Sequence, residues 1–126
     1  MALSLKFATA ILLLLLIMVV HGDAKRCLPS SIEIQQTNTG KKLGTLDTVF
    51  KVTVTNKCRC AVKKVYLQTP NGFSSSTPVS PKLFRRAGAG YLVANGQRIP
   101  TTKSVTFQYA WDHYFTMTPE SIQAEC

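Results

Sequence analysis

The chain has 126 residues, of which 15 are lysine or arginine and 6 are aspartate or glutamate, so its formal net charge is +9. This length fits one domain with a modest core and excludes a multidomain architecture. The positive charge favours acidic partners, such as pectin-like wall polymers, anionic lipid head groups or an acidic protein face. Nucleic acid is not an expected partner, because the basic residues are dispersed as pairs rather than concentrated on one helix.

The N-terminal segment predicts a secretory signal peptide over residues 1–24. A short positively charged stretch precedes an almost unbroken apolar run from Phe7 to Val20, and small residues follow at Gly22 and Ala24. Signal peptidase requires small side chains at this spacing, and the run is shorter than the roughly 20 residues of a membrane span. We expect cleavage after Ala24, with Gly22 as the alternative. The mature domain, residues 25–126, is then expected to be secreted into the extracellular space (the apoplast) without stable membrane insertion.

Four cysteines in a small secreted domain predict two disulfides, because nothing in the secretory pathway keeps thiols reduced. Cys58 and Cys60 are separated by one residue, so a bond between them would close a strained ring. The better prediction joins Cys27 and Cys126, in either order, to Cys58 and Cys60. Either order closes one loop of about 30 residues and one of about 65, each worth roughly 4 kcal/mol through loop entropy. Both ends of the mature domain would thus be tied to one point.

A metal or redox role for these cysteines is not expected. Zinc would need a second ligand pair at similar spacing, and the remaining candidates, Cys27, Cys126 and His113, are isolated in the sequence. The chain also lacks a Cys-x-x-Cys redox motif. We therefore expect neither a metal site nor a cofactor.

Alternating apolar and polar residues recur along the mature domain and predict β-strands. The predicted strands are SIEIQQT (31–37), DTVFKVTVTN (47–56), AVKKVYLQT (61–69), YLVANG (91–96), SVTFQYAW (104–111) and SIQAE (121–125). Segment 74–82 is rich in serine and proline and predicts a loop, because proline cannot donate to a sheet ladder. The pattern as a whole predicts an all-β fold, a single antiparallel β-sandwich domain stapled by two disulfides. The expected core residues are Phe50, Val52, Val54, Val65, Leu67, Val105, Phe107 and Tyr109.

The sequence offers no catalytic arrangement, so we expect no enzyme activity. His113 is the only histidine of the mature domain, and its five acidic residues form no paired-carboxylate or nucleophile motif. On a strand, the neighbouring side chains of Asp112 and His113 would point to opposite faces. The aromatic segment from Trp111 to Phe115 suits either the core or a sugar-stacking platform, and the core is the favoured interpretation.

Several short motifs follow one another from Cys27 to Cys126, and together they resemble one known family. In chain order they are CxxxxIxIxQxxTG, VTNKCxC, VxLxxPxGF, FRR, LVxNG and VxFxYAxDxxFxxxPxSxxxxC. This order resembles the plant tapetum determinant family of small secreted cysteine-containing proteins. The resemblance implies a non-enzymatic signalling protein of cell fate or plant development, binding the ectodomain of a leucine-rich repeat receptor kinase. The alternative is a basic cell-wall-associated or glycan-binding module, with anionic wall polysaccharide as its partner.

Two departures from the family pattern qualify this resemblance. Family members usually carry two more cysteines, at the positions of Thr69 and Tyr91 in this chain. Both are absent together, as the loss of one disulfide would produce, which supports two bridges among the remaining four cysteines. In addition, the stretch 87–90 is Ala-Gly-Ala-Gly where the best-known ligands have acidic residues. The resemblance therefore does not identify the receptor.

The motif Phe84, Arg85 and Arg86 matches the family and is the predicted partner-binding site. Its position between a Ser/Pro loop and a Gly/Ala stretch places it on exposed backbone, where neither arginine serves the core. Arginine binds carboxylates with two parallel hydrogen bonds and is frequent among interface hot spots. We therefore predict that these three residues contact the partner. The alternative is that Phe84 is an ordinary core residue and that the two arginines keep the surface soluble.

Overall fold

A computed structural model of the chain describes residues 27–44 and 46–126, so the predicted signal peptide lies outside the described residues. Seven strands form in chain order: β1 (Ile32–Leu43), β2 (Asp47–Asn56), β3 (Ala61–Gln68), β4 (Phe84–Ala87), β5 (Gly90–Val93), β6 (Ser104–Trp111) and β7 (Thr118–Glu125). Two short 3-10 helices, Pro29–Ser31 and Ala94–Gly96, complete the regular structure. In the described ranges, no helix has the length and apolar character needed to span a membrane.

The strands form two antiparallel sheets. The first sheet has the strand order β1-β2-β6, and the second has the order β4-β5-β3-β7. The buried side chains of both sheets form one hydrophobic cluster between them, and the edge strands β1 and β7 approach each other along one side. The predicted antiparallel β-sandwich is confirmed.

Strand alternation explains the core. In β2, every second residue from Phe50 to Asn56 is buried, and β6 places Phe107 and Tyr109 opposite Val52 and Phe50. Successive side chains of a strand point to opposite faces, so these residues all face the second sheet. Seven of the eight predicted core residues are buried, and the eighth, Val105, is partly buried and packs against the same cluster.

A β-bulge changes the phase of β3. Val62, Val65 and Leu67 are all fully buried, although an ideal strand would place Val62 and Val65 on opposite faces. Lys64 between them has a positive φ of 48°, and the pairing with β7 shifts register between Lys63 and Tyr66. The extra residue of a bulge restores the inward direction of the following side chains.

The strand boundaries differ from the predicted ones mainly at four places. The predicted strand 91–96 is a strand only as far as Val93, and Ala94–Gly96 forms a 3-10 helix. Segment 84–87, expected to be exposed non-strand backbone, is strand β4 at the edge of the second sheet. Strand β1 continues to Leu43, beyond the predicted end at residue 37, through an irregularity between Asn38 and Lys42. Strand β7 begins at Thr118 and includes Pro119, which an edge strand accommodates because one side of its backbone needs no ladder partner.

The Ser/Pro-rich segment 74–82 is a loop, as predicted, and it covers the outer edge of β6. The backbone N–H of Ser76 donates to the carbonyl of Ala110 at 2.8 Å, and the N–H of Ala110 donates to the hydroxyl of Ser75 at 3.1 Å. These bonds satisfy edge groups that would otherwise be open to pairing with another chain.

Both predicted disulfides are present, and the structure selects their partners. Cys27 is bonded to Cys58 and Cys60 to Cys126, with Cα–Cα distances of 5.5 and 5.0 Å, and no cysteine is free. The sulfur atoms of Cys27, Cys58 and Cys60 lie within 4.8 Å of one another. Because zinc binds thiolates and a disulfide sulfur carries no such charge, this proximity reflects two adjacent bridges.

Strand register explains which cysteines pair. Cys27 precedes β1, whose first residue Ile32 lies opposite Asn56, two residues before Cys58. Cys126 directly follows Glu125, which lies opposite Ala61, the residue after Cys60. Each terminal cysteine is therefore delivered to its own partner by the strand next to it.

Asn56 organises the turn that carries both bridges. It is fully buried, and its side-chain oxygen accepts the N–H of Cys58 at 2.9 Å. Its amide nitrogen donates to the carbonyls of Cys60 at 2.9 Å and Ile99 at 3.0 Å. The asparagine amide thus supplies partners to the Cys58 N–H and the Cys60 carbonyl at this turn, and it adds a second hydrogen bond to the Ile99 carbonyl, which already accepts the N–H of Val62.

We expect Asn56→Ala to lower the free energy of unfolding by about 3 kcal/mol, because the Cys58 N–H and the Cys60 carbonyl lose their partner, and each such group costs roughly 1–3 kcal/mol. Asn71→Ala is the matched control, since Asn71 is exposed in a turn. Urea unfolding of both variants with intact disulfides measures the difference. Equal stabilities would show that the Asn56 amide is dispensable.

Thr69 is a buried residue with an unsatisfied hydroxyl. Its side-chain oxygen finds no hydrogen-bond partner among the described residues. It is one of the two positions at which the family resemblance implies a cysteine, and the other, Tyr91, lies on the neighbouring strand opposite Leu67. The surroundings of Thr69 therefore suit a buried side chain that has no hydrogen-bonding group.

Thr69→Val is expected to raise the free energy of unfolding by about 1 kcal/mol, because it removes a desolvated hydroxyl while keeping the branched shape. The same change at Thr39 is the control and should destabilise, since the Thr39 hydroxyl donates to the Val49 carbonyl at 2.8 Å. Thermal or urea unfolding of both variants checks the opposite signs. A loss of stability in Thr69→Val would contradict this assignment.

Candidate functional site: an arginine-aromatic cleft beside β4

The three predicted partner-binding residues occupy β4 but do not share one environment. Phe84 is only 3% exposed, and its ring stacks on Phe107 and Tyr91 at centroid distances of 4.5 and 5.1 Å. Phe84 is thus a core residue, as the alternative interpretation expects, because strand alternation turns its side chain into the sandwich. Phe84 therefore anchors the strand, and Arg85 and Arg86 remain exposed.

Arg85 and Arg86 have no carboxylate partner among the described residues, where the ion pairs are formed by other basic groups. One long hydrogen bond, of 3.4 Å, runs from the Arg85 guanidinium to the side-chain oxygen of Asn95. Backbone pairing of Arg85 with Leu92 and of Arg86 with Tyr91 fixes the positions from which the two side chains start. Both guanidinium groups are available to an acidic partner.

The two arginines line a cleft of about 350 Å³, which we call the arginine-aromatic cleft. Its other lining residues are Phe73, Ser74, Ser75, Thr77, Pro78, Val79, Pro81, Phe84 and Tyr91. Among them are aromatic rings from both sides of the Ser/Pro loop and three apolar residues of the loop itself. The cleft thus combines an apolar wall with two positive charges at its rim.

Phe73 holds this cleft in shape. Its ring contacts Phe84, Tyr91, Tyr109 and Phe115 at centroid distances between 5.1 and 5.8 Å. Most of these contacts are edge-to-face, an arrangement that aromatic pairs favour. Because Phe73 starts the Ser/Pro loop, its packing fixes where the loop leaves the sandwich.

The sequence located the arginines of this cleft but not its wall. Phe73 belongs to the VxLxxPxGF motif and Tyr91 immediately precedes the LVxNG motif, so both lay in or beside segments that carried the family resemblance. Nothing in the sequence placed them beside Arg86, because the contact depends on the pairing of β4 with β5. The polar lining residues of the cleft are Ser74, Ser75, Thr77 and the two arginines, with the phenol of Tyr91.

The family model described as Tapetum determinant 1, C-terminal, matches residues 28–126. The chain belongs to the Tapetum determinant 1 family. No curated protein and no solved structure matched it. Membership of this family is consistent with a small secreted developmental signalling protein, and two disulfides are compatible with an extracellular one.

The aromatic segment 111–115 divides between core and surface in this Tapetum determinant 1 family member. Phe115 is buried and Trp111 is partly buried, as the core interpretation predicts, whereas Tyr114 is 60% exposed. Asp112 and His113 contact each other after β6 has ended, so the strand geometry considered for them does not apply. Tyr114 is therefore the exposed aromatic residue of this segment, beside the exposed Asp112 and His113.

A buried hydrogen-bond network fixes the segment that carries Tyr114. The Tyr109 hydroxyl donates to the Gln36 side-chain oxygen at 2.6 Å and accepts the backbone N–H of Phe115 at 3.0 Å. The Gln36 amide nitrogen donates to the Phe115 carbonyl at 2.6 Å. The desolvation of Tyr109 raises the pKa of its phenol above 10.0, against the lowering effect of the Phe115 hydrogen bond.

The raised pKa predicts how the contribution of Tyr109 depends on pH. The folded state prefers the neutral phenol, so the stabilisation from Tyr109 is complete below pH 10.0, the unfolded value, and decreases above it. We expect Tyr109→Phe to be less stable than the wild type by about 1–3 kcal/mol at neutral pH, because Gln36 and Phe115 lose a partner. Urea unfolding of both proteins should show this difference narrowing above pH 10.0. A difference independent of pH would contradict the assignment.

Proposed function

We propose that this protein is a non-enzymatic extracellular ligand whose arginine-aromatic cleft binds an acidic patch on the ectodomain of a leucine-rich repeat receptor kinase. The observation that carries the proposal is the pair Arg85 and Arg86, which line a cleft on an edge strand and have no carboxylate partner among the described residues. Family membership supports a signalling role but leaves the receptor open. The proposed output is developmental or cell-fate signalling.

The composition of the cleft supports protein recognition. Interface hot spots are enriched in arginine and aromatic side chains that lie in water-excluding surroundings. Arg85 and Arg86 can each hold a carboxylate through two parallel hydrogen bonds, and the apolar wall offers a place for a neighbouring side chain of the partner. A rigid strand carries both arginines, so little conformational entropy of the backbone is lost on binding.

The remaining charges support long-range attraction more than specificity. Glu125 contacts Lys63 and Arg98 at 3.5 and 3.4 Å, and Glu33 contacts Lys57 at 3.7 Å. Such exposed pairs contribute little to stability, and the chain still carries a net charge of +9. This charge steers the protein towards acidic surfaces in general, while the cleft would select one of them.

Replacing both arginines by alanine is expected to weaken receptor association at least tenfold, or ~1.4 kcal/mol, while secretion, disulfides and β-content stay intact. Lys41→Ala with Lys42→Ala is the matched control, because it removes two exposed charges from the end of β1. A second variant, Arg85→Lys with Arg86→Lys, keeps the charge but loses the planar fork, and we expect intermediate affinity. Biolayer interferometry against a panel of receptor ectodomains provides the measurement.

The same experiment includes the alternative, a basic wall-associated module that binds anionic polysaccharide. Homogalacturonan replaces the receptors in a parallel series, and both series are repeated at increasing salt. Polyanion binding through dispersed charges falls steeply with ionic strength, whereas a shaped interface retains more of its affinity. If the variant with both arginines replaced by alanine binds the receptor as tightly as the wild type, the arginine-aromatic cleft is not the receptor-binding site. Equal losses in the arginine and lysine variants would favour the polyanion alternative.

A further inference from the structure

A second cleft, of about 540 Å³, opens at the edge of β1 and differs from the first in having no charged lining residue. We call it the neutral cleft. Its lining residues are Ile34, Gln36, Asn38, Phe50, Tyr114, Thr116 and Met117. Its volume lies within the range of small-molecule sites. In a chain of net charge +9, an uncharged cleft of this size favours a neutral ligand.

The fold leaves this cleft open for a structural reason. Ile34, Gln36 and Asn38 lie on the face of β1 that pairs with the inward-facing residues of β2, so they point towards the space between the sheets. Strand β7, which lies along this side, begins only at Thr118 and pairs with β3. Among the described residues, the inner face of β1 is therefore covered here by the segment before β7, which includes Tyr114.

The cleft is preorganised. The hydrogen bonds among Gln36, Tyr109 and Phe115 hold the covering segment against β1. The ring of Tyr114 meets Phe50 edge-to-face at 6.5 Å while 60% of the residue remains exposed. A site held in its binding geometry loses less entropy when a ligand enters.

The polar groups of the cleft are neutral donors and acceptors. The Asn38 side-chain oxygen accepts the N–H of Gly40 at 2.9 Å, and this bond orients the Asn38 side chain. Its NH2 group can then donate to a ligand. Thr116 adds a hydroxyl, which can donate or accept. An aliphatic ligand would leave these groups without partners, and a charged ligand would find no counter-ion in the lining.

We propose that the neutral cleft binds an uncharged pyranose residue of a glycan. A pyranose has an apolar C–H face, suited to the exposed ring of Tyr114, and an edge of hydroxyls, suited to Asn38 and Thr116. Arg85 and Arg86 do not line this cleft, so the inference does not rest on the receptor-binding proposal. The same chemistry occurs in neutral wall polysaccharides and in the N-glycans of glycoproteins, and the experiment separates these sources.

Isothermal titration calorimetry of the intact mature protein tests this inference with defined probes. Cellohexaose, a xyloglucan oligosaccharide and mannohexaose represent wall glycans, a released high-mannose N-glycan represents glycoproteins, and hexagalacturonate is the charged control. We expect at least one neutral probe to bind with an affinity that does not change with salt. Binding of a wall oligosaccharide would identify neutral wall polysaccharide as the source of the ligand, and binding of the high-mannose glycan would identify glycoproteins.

Variants connect the binding to the cleft. Tyr114→Ala should weaken it at least tenfold, Tyr114→Phe should retain it, and Thr116→Val should weaken it by loss of the hydroxyl. Leu46→Ala is the matched control, since Leu46 is an exposed apolar residue, 73% accessible, outside this cleft. Arg85→Ala with Arg86→Ala should leave glycan binding unchanged. Absence of binding by every neutral probe, or wild-type binding by Tyr114→Ala, would overturn the inference, as would salt-sensitive binding of hexagalacturonate alone.

Discussion

The hydrogen bonds of the buried Asn56 amide hold the point at which the chain passes from one sheet to the other. Strand β2 ends at Asn56 in the first sheet, and β3 begins at Ala61 in the second. The turn between them must expose backbone groups to a dry interior, and an asparagine side chain can serve both donors and acceptors. With Cys58 and Cys60 fixed by this amide, the two disulfides can draw the edge strands β1 and β7 to the same side of the sandwich.

The two disulfides lie at the β2–β3 turn, whereas Phe50 of β2 and the partner of Leu67 in β5 line the clefts further along the strands. Phe50 lies six residues before Asn56 in β2, a distance of about 20 Å along an extended strand. In β3, Leu67 lies seven residues after Cys60 and pairs with Tyr91 of the arginine-aromatic cleft. Around Phe50 and Tyr91, aromatic packing and the Tyr109 network define the surface of the clefts, while the disulfides hold the other end of β2 and β3.

The elements that could be predicted from the sequence were those whose signal is local. Strands β2 and β6 have clear period-two alternation, so their bounds and core residues followed directly. Strand β4 was missed because Phe84 is its only large apolar residue, and two arginines follow it. The bulge at Lys64 was equally hidden, since a change of phase within β3 depends on its pairing with β7. The choice between the two disulfide patterns needed strand register, because Cys58 and Cys60 are almost equivalent in sequence distance from either end.

The two clefts differ in the charge of their lining residues, and composition does not show this difference. A net charge of +9 suggests one basic surface and one acidic partner, yet the larger cleft has no charged lining residue. Charge attracts a partner over distances up to the Debye length of about 10 Å and weakens with salt, whereas stacking and neutral hydrogen bonds act only on contact. Two sites with different salt responses on one rigid domain could engage a glycosylated or wall-bound partner at two points, and the joint affinity would then exceed that of either cleft.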